Sequence, residues 1–176
     1  MPDAEIILVD NGNIKIEKID GVDKQIYLGN RLLFRLTSDS PNKSLGETMM
    51  LLYACKYLND SYEYIFKISG RYWLNDYFSI ENFKNDAFTF LHLMNNSQEI
   101  LGKHSFVTGI HSTRLYAFPG KYLKEYKRSL RKSLKDIRHG KSIEAAWPQY
   151  IQKQLYYTNR LGVSGYIGVD KDWKDE

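Results

Sequence analysis

A chain of 176 residues has the length of one ordinary domain and buries roughly 70% of the surface its unfolded form exposes, so it needs no staples. A single cysteine, Cys55 in the apolar run MMLLYACKYL, excludes a disulfide scaffold and reads as a small buried hydrophobe. No stretch approaches the ~18 to 20 apolar residues of a membrane helix, no signal-peptide pattern opens the chain, and the expected compartment is the cytoplasm. The balance is mildly basic, Lys+Arg 25 against Asp+Glu 21, which favours anionic partners without choosing among them.

In chain order, Glu5 to Asp10 is a short apolar run ending in Asp-Asn-Gly-Asn, the pattern of a buried parallel strand that stops at a turn. An irregular connection follows, with one short strand expected at Gln25 to Leu28. Ser44-Leu-Gly-Glu47 matches a capping box and predicts a helix through about Leu58. Tyr62 to Ile68, rich in aromatic and β-branched residues and bounded by turn formers, predicts a strand. Strands are also expected at Ala87 to Leu91 and Ser105 to Ile110, with Arg114 to Phe118 extending the second or standing alone.

After Pro119, apolar positions Tyr122, Leu123, Tyr126, Leu130, Leu134 and Ile137 recur at helical spacing and predict a helix over Lys121 to Ile137. A further helix is expected from Ser142 to near Leu155, with Pro148 inside it, then a loop and an edge strand over Leu161 to Val169. Strands separated by helices, with antiparallel pieces toward the end, argue for a mixed α/β sheet covered on both faces, one domain over residues 1–176. In such sheets ligands bind beyond the carboxyl ends of strands.

Three places there stand out: Asp10-Asn11-Gly12, Lys43 to Glu47, and Lys67-Ile-Ser-Gly-Arg-Tyr72. Lys67 and Arg71 bracket Ser69-Gly70, a turn whose missing Cβ permits close approach of a ligand, and the two cations suit a diphosphate. The competing reading has Arg71 paired with an acidic neighbour and Gly70 serving the turn alone. Lys43 adds charge to a helix start already suited to anions, or is a surface lysine. Glu47 is a cap or a ligand contact. Arg114 and Tyr116 follow His111-Ser-Thr, and Glu144 lies in the first turn of a helix, where the dipole stabilises a carboxylate whatever else it does. His92, His104, His111 and His139 show no metal-ligand spacing and read as structural or surface residues.

The segments Ala4 to Gly12, Asn42 to Glu47, Tyr64 to Trp73, Ser112 to Pro119, Lys141 to Glu144 and Leu161 to Gly165, in that order, resemble a group of GT-A-type glycosyltransferases of bacterial surface-sugar clusters and large DNA viruses. The resemblance covers nearly the whole chain and implies a GT-A-like, mostly parallel mixed sheet with flanking helices, a nucleotide-diphosphate sugar as donor, and a glycan or other hydroxyl acceptor. It implies Asp10 and Asn11 near the nucleoside with Lys43 and Glu47 beside them, and Lys67, Ser69, Gly70 and Arg71 under the diphosphate. Glu144 would be the catalytic base on the acceptor side, with Arg114 and Tyr116 lining the cleft.

Two departures from the family pattern shape the expectation. Where most GT-A enzymes carry the metal-holding Asp-x-Asp, this chain reads Ser69-Gly-Arg71, so the expected reaction uses no metal cofactor or depends on one weakly, with Arg71 and Lys67 supplying the charge. The literal Asp170-Lys-Asp172 in the tail reads as accidental. The chain also lacks the strand and helix that precede the Asp-Asn-Gly strand in the family. That leaves three readings: a second copy or partner chain covers the sheet edge, the chain is a truncated descendant, or translation starts upstream of Met1.

The expected function is sugar transfer in glycan biosynthesis; the alternative is a non-catalytic nucleotide-sugar or glycan-binding remnant or partner subunit. Nucleic-acid binding is not expected, because the densest basic cluster, Lys121 to Lys135, is the outer face of an amphipathic helix.

Overall fold

A computed structural model of the chain describes residues 4–38, 42–93, 110–158, 162–166 and 173–175. They form a mixed α/β protein divided into two compact units, Met1–Leu58 with Ser133–Ile143, and Asn59–Lys132 with Glu144–Glu176. Among the described residues no helix is long and apolar enough to cross a membrane.

In the first unit, β1 (Ile7–Asp10) pairs in parallel with β2 (Lys24–Tyr27), in the register Ile7↔Lys24 to Asp10↔Tyr27. The chain then turns at Gly29, where a Cβ would stand 2.0 Å from the Gly12 carbonyl oxygen, so only glycine fits. Two helices follow, α1 (Leu32–Ser38), which the sequence pattern did not announce, and α2 (Lys43–Ala54). Ile26, Leu28 and Phe34 form a small core, with Val9, Met49 and Tyr53 packed around it.

The start of α2 departs from the expected capping box. Asn42 is the cap, its side-chain oxygen accepting the Ser44 N–H at 3.1 Å, while its amide NH₂ donates to the Ile137 carbonyl. Ser44 therefore lies inside the helix, and its hydroxyl accepts from the Ile143 N–H at 3.1 Å. Asparagine is as good a cap as serine, and it stands two residues earlier.

The second unit holds β3 (Tyr64–Ile68), β4 (Tyr72–Leu74), β5 (Phe88–Leu93), β6 (Ile110–His111) and β7 (Leu115–Pro119). The helix α3 (Leu123–Arg138) runs from this unit into residues assigned to the first, and α4 (Ile143–Ala146) is a single turn. Three strands close the chain: β8 (Leu155–Thr158), β9 (Val163–Tyr166) and β10 (Trp173–Asp175). The helix expected to fade near Leu155 instead stops at a 3₁₀ turn, Pro148–Tyr150, and β8 begins. Of the strand expected at Ser105 to Ile110, only Ile110 falls among the described residues.

β3 pairs antiparallel with β7, β7 with β5, and β5 with β6, while β8 runs parallel to β5; β4, β9 and β10 form a separate antiparallel sheet. The expected mostly parallel sheet is thus corrected to a mixed one. The parallel expectation came from the family resemblance; the apolar run Ile7–Asp10 does pair in parallel, whereas β7, buried along its whole length, runs antiparallel to both β3 and β5.

The core lies against β7. Phe88, Phe90, Tyr116, Phe118 and Trp147 are each at most 1% exposed, and Tyr126 of α3 stacks on Phe118 at 4.5 Å. The Trp147 indole N–H donates to the buried Ser129 hydroxyl at 2.8 Å, which satisfies the one polar atom of that ring. On the other face of the sheet, Phe66 packs with Phe83, Leu91, Leu115, Ala117 and Val163.

Candidate functional site

Alternation along β3 decides what reaches its carboxyl end. Lys67 stands opposite Tyr116 in register, so the two side chains share a face, and the ammonium lies 5.6 Å from the Tyr116 ring centre. Tyr116 itself is fully buried, and its hydroxyl is hydrogen-bonded to that of Tyr126 at 2.7 Å. It offers no surface to a ligand and serves as the floor under Lys67.

A half-buried ammonium needs acceptors. Lys67 Nζ donates to the Ser69 hydroxyl at 2.7 Å and to the Thr113 carbonyl at 2.5 Å, and the Ser69 hydroxyl also approaches that carbonyl at 3.4 Å. The backbone continues the ladder past the strand, Ser69 N–H donating to Arg114 O at 2.8 Å, and a turn closes with Tyr72 N–H on Ser69 O at 3.0 Å. Lys67 and Ser69 are thus fixed from below.

Thr113 reaches the other way as well. Its hydroxyl donates to Glu144 Oε1 at 2.7 Å. The remaining oxygen, Oε2, has no hydrogen-bond partner among the described residues, although the residue is half-buried. One carboxylate oxygen is held and the other is open.

Two more cations belong to this strand end. The Arg114 guanidinium lies 5.5 Å from the centre of the Tyr72 ring. Arg71 is exposed and has no ion pair or side-chain hydrogen bond among the described residues, and an added Cβ at neighbouring Gly70 would meet nothing within 4 Å. The acidic partner that the competing reading assigns to Arg71 is therefore not found among those residues. At the opposite end of β3 a shallow cleft is lined by Asp60, Glu63 and Asp86 against one Lys121, and its carboxylates repel an anion.

The remaining sequence-derived candidates stand in the first unit. Asp10 ends β1, where its Oδ1 accepts the Gly12 N–H at 2.9 Å and Oδ2 is buried with no hydrogen-bond partner among the described residues. Half-buried Asn11 follows it. Lys43 is the exposed first residue of α2, and Glu47 lies half-buried one turn on. Asp170 and Asp172 lie outside the described residues, as does His104.

The second unit thus brings Lys67, Ser69 and Glu144 together through a residue that sequence reading passed over. Thr113 carries no motif spacing. Its only signal was its position in a polar Ser112-Thr113 pair just before an apolar strand, a pair that proves to be buried at 2% and 6% exposure. Compared with family models, curated proteins and solved structures, the chain matches none.

Proposed function

We propose that the second unit binds a nucleotide-diphosphate sugar and transfers its sugar to a hydroxyl acceptor, as a GT-A-like domain working in the cytoplasm. The observation that carries this reading is the Glu144 carboxylate, tethered at Oε1 by Thr113 and open at Oε2, at the same strand end as three cations. Glu144 Oε2 takes the acceptor hydroxyl proton, the acceptor oxygen bonds to the anomeric carbon, and the bond from that carbon to the diphosphate oxygen breaks. The diphosphate leaves with the electron pair. Arg71 meets its oxygens directly, Arg114 adds charge, and Lys67 contributes a fixed positive field, because its hydrogen bonds are made within the protein.

The test is calorimetry with a panel of nucleoside diphosphates, followed by turnover of the matching sugar nucleotides. Arg71→Ala should weaken diphosphate binding by about 1.5 to 3 kcal/mol. Glu144→Gln should leave binding intact and slow sugar release or transfer by about 10² to 10⁴-fold. Equal affinity of parent and Arg71→Ala would overturn the site. Binding without turnover in the parent would leave a nucleotide-sugar binder.

A further inference from the structure

We infer that Thr113 is the positioning residue of this site, the single group that sets where Glu144 points relative to Lys67; the inference rests on the transferase reading above. Thr113 lies between β6 and β7, 6% exposed. Packing alone would be served there by valine, which has nearly the same shape. The hydroxyl is what differs, and the Glu144 carboxylate is its acceptor, at 2.7 Å. The carbonyl of the same residue accepts from Lys67 at 2.5 Å. Base and ammonium are therefore referred to one backbone position, at the entry to the buried strand β7.

The tie matters because Glu144 sits on a single helical turn and its side chain has three rotatable bonds. With Oε1 held, rotation about the last bond is stopped and Oε2 has one direction. Thr113 touches neither donor nor acceptor in this scheme. It acts through Glu144, so its loss should appear in the chemical step and not in donor affinity.

Thr113→Val removes the donor and keeps the volume; Thr113→Ser keeps the donor. The expected result is a fall in kcat of about ten- to a hundredfold for Thr113→Val, the effect of a small misplacement of a catalytic group. The donor KM and the nucleoside-diphosphate Kd should stay within twofold of the parent, and Thr113→Ser should recover most of the rate. A cycle of urea midpoints over Thr113→Val, Glu144→Ala and the double variant reads the tie without any activity. The two losses should be non-additive, because each removes the same hydrogen bond. An additive cycle overturns the inference whatever the kinetics, and so does equal loss of rate in the valine and serine variants. A non-additive cycle in a parent inert toward every sugar nucleotide overturns the transferase reading instead, and reduces Thr113 to a structural tie.

Discussion

The two units differ in how they hold the residues they offer. In the second, the strand that carries Lys67 is backed by Tyr116, Trp147 and Tyr126, and Lys67, Ser69, Thr113 and Glu144 are linked by hydrogen bonds. In the first, the core is the small cluster of Ile26, Leu28 and Phe34, while Ile14, Leu32, Leu33 and Leu36 are 83%, 72%, 54% and 61% exposed. Asp10 ends its strand there with one oxygen unanswered. A site residue is as well defined as the core behind it, so the chemistry is best argued in the second unit.

The largest expected effect breaks that comparison at its base. Trp147→Ala should cost about 3 to 5 kcal/mol in urea unfolding, through the lost burial and the cavity left against Tyr116 and Phe90. Leu36→Ala, on the exposed side of α1, should stay within about 0.5 kcal/mol of the parent. If the two losses are similar, the contrast between the units is not one of packing.

A middle-sized effect concerns Glu125, which ties α3 to the segment after α4. Arg128 grips it through Nε at 2.8 Å and Nη2 at 2.6 Å, and the Gln152 N–H donates to it at 2.6 Å. The Arg128 hydrogen bonds, with help from Gln152, hold the Glu125 carboxyl below the usual glutamate range despite partial burial. A depressed folded pKa stabilises the protein fully above the ordinary glutamate value, and that contribution is lost as pH falls through the lowered one. Glu125→Ala should cost about 1.5 to 3 kcal/mol at pH 7. The gap between parent and variant should close on acidification, and a gap independent of pH would show the pair does not carry the effect.

How much of this was legible beforehand follows from which interactions are local. β3 and α3 were readable because their signals lie within the element, a β-branched aromatic run and a helical repeat of Leu123, Tyr126, Leu130 and Ile137. Strand direction was not, since whether Leu115 to Pro119 runs with or against Tyr64 to Ile68 depends on connections the pattern does not encode. The helix start was misread because Ser44 has a tertiary use, receiving the Ile143 N–H 99 residues away. β8 was hidden because two consecutive exposed tyrosines, between half-buried Leu155 and Thr158, break the period-2 pattern of a strand. At the site, Lys67, Ser69, Arg71 and Glu144 could be named from strand and helix ends. Thr113 could not, because its role exists only once β6, β7 and α4 converge.

The smallest effect is the sharpest on the site itself, because it separates folding from binding at one atom. Gly70 has ordinary negative-φ-compatible backbone, and an added Cβ would meet nothing within 4 Å. Glycine is therefore not demanded there by strain or by packing, unlike Gly29. Gly70→Ala should leave the fold intact and raise stability by about 0.4 to 1 kcal/mol, because alanine narrows the unfolded ensemble. The same methyl group would stand in the open space beside Ser69 and Arg71, where the diphosphate is proposed to approach. Nucleoside-diphosphate affinity should then fall while urea unfolding shows an equal or firmer protein. If Gly70→Ala binds as tightly as the parent, the ligand does not approach over this turn, and Arg71 would have to reach it from another side. Loss of stability together with affinity would mean that the turn needs its glycine for folding, and the open space would no longer point to a ligand.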